Sequence, residues 1–532
     1  MSGVRSSEDQ PPLGESAGCS GNRRDDLSGW LRDRSVYRQQ FKTPVVLHET
    51  HISWVFLAGD YAYKVKKPVK NDFLDYSTLQ RREHFCHQEL RLNRRFAEGL
   101  YLAVVPIARH GKRIRVEGRG EPIEYAVKMH RFAEEDLLSN RLAADLVTHA
   151  DVMELAASVA KFHQSAARAD RDQRWGSLEV VFRDAEDKFH DLQSPDWLRA
   201  STELAQLHRW TKQFSDAESS RIVSRKEQGF VRECHGDLHL DNVVRWRGQI
   251  TPFDGIEFCE RFRWIDVLSA AAFLVMDLAA RGHHDWARIF INAYLDFTGD
   301  HSCLAMLRWY LVYRALVRAK VAAIRGQQSG VSERERSDSA TDCQRHLELA
   351  HQFSTPSAPR IWITHGVSGS GKTLGCQAVI KRHGAIRLRS DVERKRQHHL
   401  RLTQRTDDPQ QRAALYSHRA NEETYACLLT LARQVIQDGF SVIVDATFLR
   451  RRQRRQFRKL AESLGVPFTI LAFEVDPATL RRRVMERLAR GTDASDADLS
   501  VLEWQLAIRQ PLTPLETSYV EHPTDGQAVA VF

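Results

Sequence analysis

Residues 360–374 read Arg-Ile-Trp-Ile-Thr-His-Gly-Val-Ser-Gly-Ser-Gly-Lys-Thr-Leu. An apolar run, Ile361 to Ile363, leads into Gly366-Val367-Ser368-Gly369-Ser370-Gly371-Lys372-Thr373 and then into an amphipathic stretch. The pattern G-x-x-x-x-G-K-[ST] therefore stands in the strand-loop-helix context that gives it meaning. Glycines at this spacing let successive backbone N–H groups turn inward around an oxyanion at the positive end of a helix. Gly366, Ser368, Gly369, Ser370 and Gly371 are expected to cradle phosphate. Lys372 would reach the β- and γ-phosphates of ATP, and Thr373 would offer its hydroxyl to Mg²⁺.

The residues that follow alternate between strand and helix patterns, with strands at 361–364, 385–389, 441–444 and 468–473, which predicts an α/β module with a parallel sheet. Aspartates end two of these strands, where such sheets place ligands. Asp445 is expected to contact Mg²⁺, directly or through water. Asp391 would accept a proton from a bound hydroxyl while Arg394 holds an anionic part of the acceptor; a helix N-cap is the competing reading of Asp391. Further on, Leu480, Val484 and Leu488 repeat at helical spacing while Arg483, Arg487 and Arg490 take another face. The run Arg450-Arg451-Arg452-Gln453-Arg454-Arg455 has the charge to follow a nucleic-acid backbone but lacks interleaved aromatics, which favours a solvated helix face.

The chain has 532 residues and a formal charge of +9, long enough for several compact units and permissive of anionic partners without requiring them. Eight cysteines form no C-x-x-C pair and sit mostly in apolar segments, as reduced core thiols do. The first 26 residues lack an apolar h-region, and the longest apolar run, Ser269 to Met276, is too short to span a bilayer. A cytoplasmic protein without membrane partners is expected. The expected organisation is a disordered tail over 1–40, a strand-rich unit over 41–130, a helical unit over 131–350, a Pro-containing linker over 351–359 and the phosphate-loop module over 360–532. Residues 326–342 read as an exposed polar loop.

In the strand-rich part, Ser53 to Leu57 and Tyr61 to Lys66 flank Ala58-Gly59-Asp60 as a hairpin, followed by a helix over about 77–97 with Leu79, Phe85, Cys86, Leu90 and Phe96 available for burial. A hairpin bearing Lys64 and then a helix bearing Glu89 have the order of an upper kinase lobe: the lysine holds phosphates and the glutamate pins its ammonium. About 170 residues later comes His235-Gly236-Asp237-Leu238-His239-Leu240-Asp241-Asn242, then Phe253-Asp254-Gly255. This order supplies Asp237 as the base for a hydroxyl proton, with Asn242 and Asp254 brought to one metal by the intervening hairpin. A metal-hydrolase cluster of His235, Asp237, His239 and Asp241 is the alternative. Asp266 reads equally as a structural aspartate or a helix cap, and His163 as a packed helix residue.

On these residues the segment 41–350 resembles the aminoglycoside phosphotransferase-like kinases, in which His-Gly-Asp replaces the protein-kinase triplet. Residues 360–532, through the loop, Ser390-Asp391 with Arg394, Val444-Asp445-Ala446-Thr447 and the arginine-rich helix, resemble the polynucleotide-kinase and zeta-toxin-like P-loop kinases. The resemblance implies an α+β protein-kinase-like bilobal domain followed by an α/β P-loop domain. It implies ATP and Mg²⁺ as cofactors, and Arg487 and Arg490 on a lid closing over the transferred group. Each module would phosphorylate a hydroxyl of a small or nucleotide-like acceptor. A polynucleotide 5′-hydroxyl kinase and an ATP-binding regulatory protein remain the alternatives. No G-x-G-x-x-G loop precedes Lys64, unlike a typical protein kinase.

Overall fold

The computed structural model describes residues 25–522 except 72, 112, 194–195, 200, 303, 329, 356, 403, 405–407 and 491–497. Two compact units, Met1–Phe132 and Ala133–Phe532, make up the chain.

The first unit is a six-stranded antiparallel sheet in the spatial order Val46–Glu49, Ser53–Ala58, Tyr61–Lys66, Glu121–His130, Tyr101–His110 and Arg113–Val116. Gly59 makes the first tight hairpin possible, because its φ of +61° suits a residue without a Cβ. The helix Leu79–Ala97 starts at Thr78, whose hydroxyl accepts from the Arg81 N–H at 3.3 Å. Its fully buried side chains are Arg82, Cys86, Glu89, Leu92, Asn93 and Ala97, whereas Leu79, Phe85, Leu90 and Phe96 are only half-covered. The helix thus turns a polar stripe inward, which is tolerable because each group is paired: Arg82 meets Glu124 at 2.8 Å and Asn93 donates to the Glu89 carbonyl at 2.9 Å.

The expected tail over 1–40 is corrected from residue 25 onward; residues 1–24 lie outside the described residues. Asp25–Trp30 is a short helix, and Leu31, Val36 and Tyr37 are buried in the same apolar cluster as Phe56, Tyr63 and Val65. Tyr37 also donates its hydroxyl to the Leu31 carbonyl at 2.7 Å. A few large apolar side chains outweigh the polar composition around them, because covering the sheet face takes their surface out of water.

The second unit begins with a helical part. His149–Ser165, Val267–Ala280, His284–Thr298, Leu304–Gly326 and Glu333–Ser354 are its main helices, and every residue of Val267–Ala280 is buried. Two short antiparallel pairs are set among them, Val231–Glu233 with Trp264–Asp266 and Val243–Trp246 with Gln249–Pro252. The expected loop over 326–342 and linker from 351 are corrected: a capping box of Ser332 and Glu335 starts a helix that runs to Ser354. Cys343, Leu347 and Ala350 bury its inner face. Asp266 caps Val267–Ala280 by accepting from the Leu268 N–H at 2.8 Å, and His163 bonds the Tyr294 hydroxyl at 2.9 Å, both structural roles.

After Ser354 the chain enters a five-stranded parallel sheet in the order Ile386–Arg389, Val442–Asp445, Ile361–His365, Phe468–Ala472 and Val520–Glu521. One apolar core runs without a break from the helices into this sheet, joining Phe290 and Tyr294 to Ile361, Leu388 and Val444. The six cysteines among the described residues are free. No described helix is long and apolar enough to cross a membrane.

Arg225 ties the helical part together by bridging Asp266 at 2.5 Å and Asp300 at 2.7 Å, all three side chains nearly dry. Arg225→Ala leaves two buried carboxylates facing each other without a cation and is expected to cost about 3–5 kcal/mol. Thermal and urea unfolding of the intact protein measure it; an unchanged first transition would show that this bridge does not hold the fold.

Candidate functional site

In the first unit, Lys64 and Lys66 sit two residues apart on the same face of their strand, and both reach Glu89. Lys64 Nζ lies 3.0 Å from Oε1 and Lys66 Nζ 2.7 Å from Oε2. Burial alone would raise the Glu89 carboxyl, but the ammonium groups of Lys64 and then Lys66 outweigh it and hold it down. Glu89 is thus shared between the two ammonium groups. Lys66, which is also 3.3 Å from the Tyr76 hydroxyl, escaped the sequence reading; its place two residues after Lys64 was the available signal.

In the second unit, the strand Val231–Glu233 ends in the turn carrying Asp237. Gly236 has φ +92°, and a Cβ there would lie 3.1 Å from the Phe262 carbonyl oxygen, so the turn needs glycine. Burial pushes His235 down to about 4, and the neutral ring donates from Nε2 to the Phe253 carbonyl at 2.8 Å. Asn242 donates to the Asp237 carbonyl at 2.8 Å and to its carboxylate at 3.3 Å. The hairpin register pairs Val243 with Pro252, and Phe253 N–H donates to the Asn242 carbonyl at 2.9 Å. This puts Asp254 next to the Asn242 end of the hairpin. Asp254 holds φ +62°, an unusual backbone state for a non-glycine residue.

His239 lies between two carboxylates, 3.3 Å from Asp237 and 3.4 Å from Asp241, and Asp241 is also 2.8 Å from Arg281. Burial would lower the imidazole, but Asp237 and Asp241 push it up to about 10. Asp237 in turn, which burial would raise, is held well below the ordinary carboxylate range by His239 and, more weakly, by Arg318. Of the residues in the metal-hydrolase alternative, His235 has both ring nitrogens on backbone groups, the Phe253 carbonyl and the Asp237 N–H. Among the described residues no group of three His, Cys, Asp or Glu side chains is arranged to hold a metal ion.

The phosphate loop leaves the strand Ile361–His365 and enters the helix Lys372–His383, with Gly369 and Gly371 at φ +83° and +90°. The Lys372 ammonium curls back to the Val367 carbonyl at 2.7 Å, and the Gln505 side chain accepts from the Ser368 N–H at 2.7 Å. Among the described residues the buried Ser370 hydroxyl has no hydrogen-bond partner. Thr373 donates to Asp445 at 3.1 Å. An orphaned hydroxyl, inward-turning glycines and a threonine beside a strand-end aspartate fit the phosphates and Mg²⁺ of a nucleotide. Around them is a cavity of about 340 Å³, lined by Lys372, Thr373, Asp391, Arg394, Asp445 and Arg483, with Trp504 and Tyr416 on its wall.

Asp391 is gripped by Arg389 in a two-pronged pair, 3.0 Å and 3.2 Å, and accepts from the Val392 N–H rather than capping the helix. Burial would raise Asp391, and Arg389 overrides it; Asp445, for which burial wins, is pushed up. Two neighbouring carboxylates with opposed shifts can divide proton acceptance from metal contact. Arg394 stacks on Tyr416 at 5.0 Å and donates to Asn421 at 3.4 Å. Arg483 reaches the Gly369 carbonyl at 3.5 Å. The side chains of Arg487 and Arg490 lie outside the described residues. The basic run is broken by Arg454, which is fully buried on Glu516 at 2.7 Å. Arg389 and Gln505 were not legible as site residues, because one precedes the motif and the other approaches from 137 positions away.

A kinase-type fold and a P-loop module are thus carried in one chain, which points to a phosphotransferase. Residues 361–512 match the profile of a family described as "AAA domain". The chain is 28% identical over 451 residues to "Uncharacterized protein Rv2004c" of Mycobacterium tuberculosis, covering 84% of this chain and 87% of that one. A choline/ethanolamine kinase family protein of Mesorhizobium loti is 13% identical, covering 59% of this chain and 94% of that one, with a TM-score of 0.33. Kti12 of Chaetomium thermophilum, solved with ADP-AlF3, is 15% identical, covering 32% and 93%, with a TM-score of 0.25.

A raised histidine pKa gives a definite sign. The His239 imidazolium stabilises the fold in full below about pH 6.5, its ordinary value, and this contribution is lost as pH rises through about 10. His239→Gln is therefore expected to be less stable than the unaltered protein at pH 6–8 and to converge with it above pH 10. Urea unfolding across that range is the check; a constant difference would refute the ion pairs.

Proposed function

We propose that the chain is a bifunctional ATP-dependent phosphotransferase of the cytoplasm, each module transferring the γ-phosphoryl group to a hydroxyl of a small or nucleotide-like acceptor. The observation that carries this reading is the convergence of Lys372, Thr373, Asp391, Arg394 and Asp445 on one cavity. Bound Mg-ATP supplies the phosphoryl group and part of the charge neutralisation. With a nucleotide bound, Lys372 would exchange its contact with the Val367 carbonyl for phosphate oxygens. Thr373 and Asp445 would hold the metal. Asp391, kept ionised by Arg389, accepts the acceptor's hydroxyl proton, while Arg394, braced by Tyr416 and Asn421, orients an anionic group on the same molecule. Arg487 and Arg490 belong to the helix proposed to close over the site.

For the kinase-type module, Asp237 is assigned as base, Asn242 and Asp254 as metal ligands, and Lys64 with Glu89 as the phosphate-binding pair. Asn242 supports this by fixing the Asp237 carboxylate, and the left-handed Asp254 by the backbone strain that functional positions retain. A small-molecule acceptor is preferred to a polynucleotide, because Arg454 is withdrawn from the basic run into the core.

Transfer of labelled γ-phosphate from Mg-ATP into a pool of metabolites and 5′-hydroxyl oligonucleotides tests the proposal. Lys372→Ala is expected to cut one labelled product by about 10²–10³-fold, and Asp237→Ala a different one by a similar factor. Label in oligonucleotides would favour the polynucleotide reading. ATP binding with no transfer would make the protein a nucleotide-binding regulator.

A further inference from the structure

The edge strand of the P-loop sheet, Ile386–Arg389, is completed by a helix of the preceding helical part. Asn292, on His284–Thr298, donates to the Ala385 carbonyl at 3.1 Å and accepts from the Arg387 N–H at 2.6 Å, taking the place of a neighbouring strand. One turn further along the helix, Asp296 pairs with Arg387 at 2.6 Å, and both side chains are buried. The same Asp296 oxygen lies 4.0 Å from the guanidinium of Arg389. Arg389 is the residue that clamps Asp391 through both carboxylate oxygens. Arg396, which pairs with Glu393, donates to the Asp296 carbonyl at 2.8 Å.

We propose that Asp296 is a positioning residue for the P-loop site: from the helical part it holds Arg387 and orients Arg389, and so sets the Asp391 carboxylate that takes the acceptor proton. The argument is geometric. An arginine side chain has four rotatable bonds, and a bidentate grip on Asp391 needs its guanidinium plane fixed. Asp391 sees Arg389 and Arg394 as cations, while Asp445 and Lys372 lie on the facing strand end and loop. Asp445 also feels the Arg389 charge, and from the helical part Asp296, 4.0 Å away and paired with Arg387, adds a carboxylate on the other side of the unit's seam. The helical part of the kinase-type fold thereby contributes to the chemistry of the module that follows it, and this inference rests on the phosphotransferase reading of that module.

The test uses the intact protein and Mg-ATP with the hydroxyl-acceptor pool. Nucleotide sites are counted by titration with a fluorescent ADP, so that turnover is expressed per competent site. Asp296→Asn, which preserves shape and removes charge, is expected to lower Lys372-dependent turnover per site by about 10–100-fold with the KM for ATP unchanged. Asp438→Asn serves as the comparison. It breaks the 2.7 Å pair with Arg221 between the same two parts of the unit, at the end of the helix His418–Gln437, and is expected to lower the melting temperature without changing turnover per site. If Asp296→Asn behaves like Asp438→Asn, losing stability or sites but not turnover per site, the inference is overturned while the site reading stands. If the unaltered protein shows no Lys372-dependent turnover, the site reading fails and the inference with it.

Discussion

The pairing of buried charge governs this molecule. A carboxylate or guanidinium withdrawn from water loses several kcal/mol of hydration, recovered only when a partner of opposite sign is held at hydrogen-bond distance. The structure answers that constraint repeatedly with shared partners: Glu89 between Lys64 and Lys66, Arg225 between Asp266 and Asp300, His239 between Asp237 and Asp241. A shared partner leaves one charge only partly satisfied. At Glu89 one carboxylate is shared by two ammonium groups.

In the P-loop site the same constraint separates two carboxylates. Asp391 has a guanidinium on both of its oxygens and stays ionised, whereas Asp445 meets the Thr373 hydroxyl and lets burial raise it. Residue type alone does not distinguish them. The difference lies at the single residue between Arg389 and Asp391: the strand ends at Arg389 and the helix begins at Ser390, which folds the Arg389 side chain back onto Asp391.

Much of the architecture was legible from local pattern. The loop Gly366 to Thr373, the four long strands of the parallel sheet and the hairpin bearing Lys64 are all specified by residues close together in the chain, where glycine, alternation and helical spacing act directly. Local pattern misled at residues 25–40 and 326–342, where polar composition concealed a few buried anchors, Leu31, Val36 and Tyr37 in one case and Cys343 and Leu347 in the other. On Leu79–Ala97 the expected apolar face left no place for Arg82, which is buried because Glu124 on a neighbouring strand receives it.

Residues close together in the chain were enough to fix two turns, the glycine-rich one ahead of Lys372–His383 and the Asp-x-x-x-x-Asn one from Asp237 to Asn242, because local backbone geometry follows from neighbouring residue types. Which charges face one another depends instead on the folded arrangement. That Lys66 shares Glu89, that Gln505 holds the Ser368 N–H, and that Asp296 reaches Arg387 across 91 positions all depend on packing distant segments together. Coulomb and hydrogen-bond energies vary with distance in space, which the order of residues along a chain does not specify.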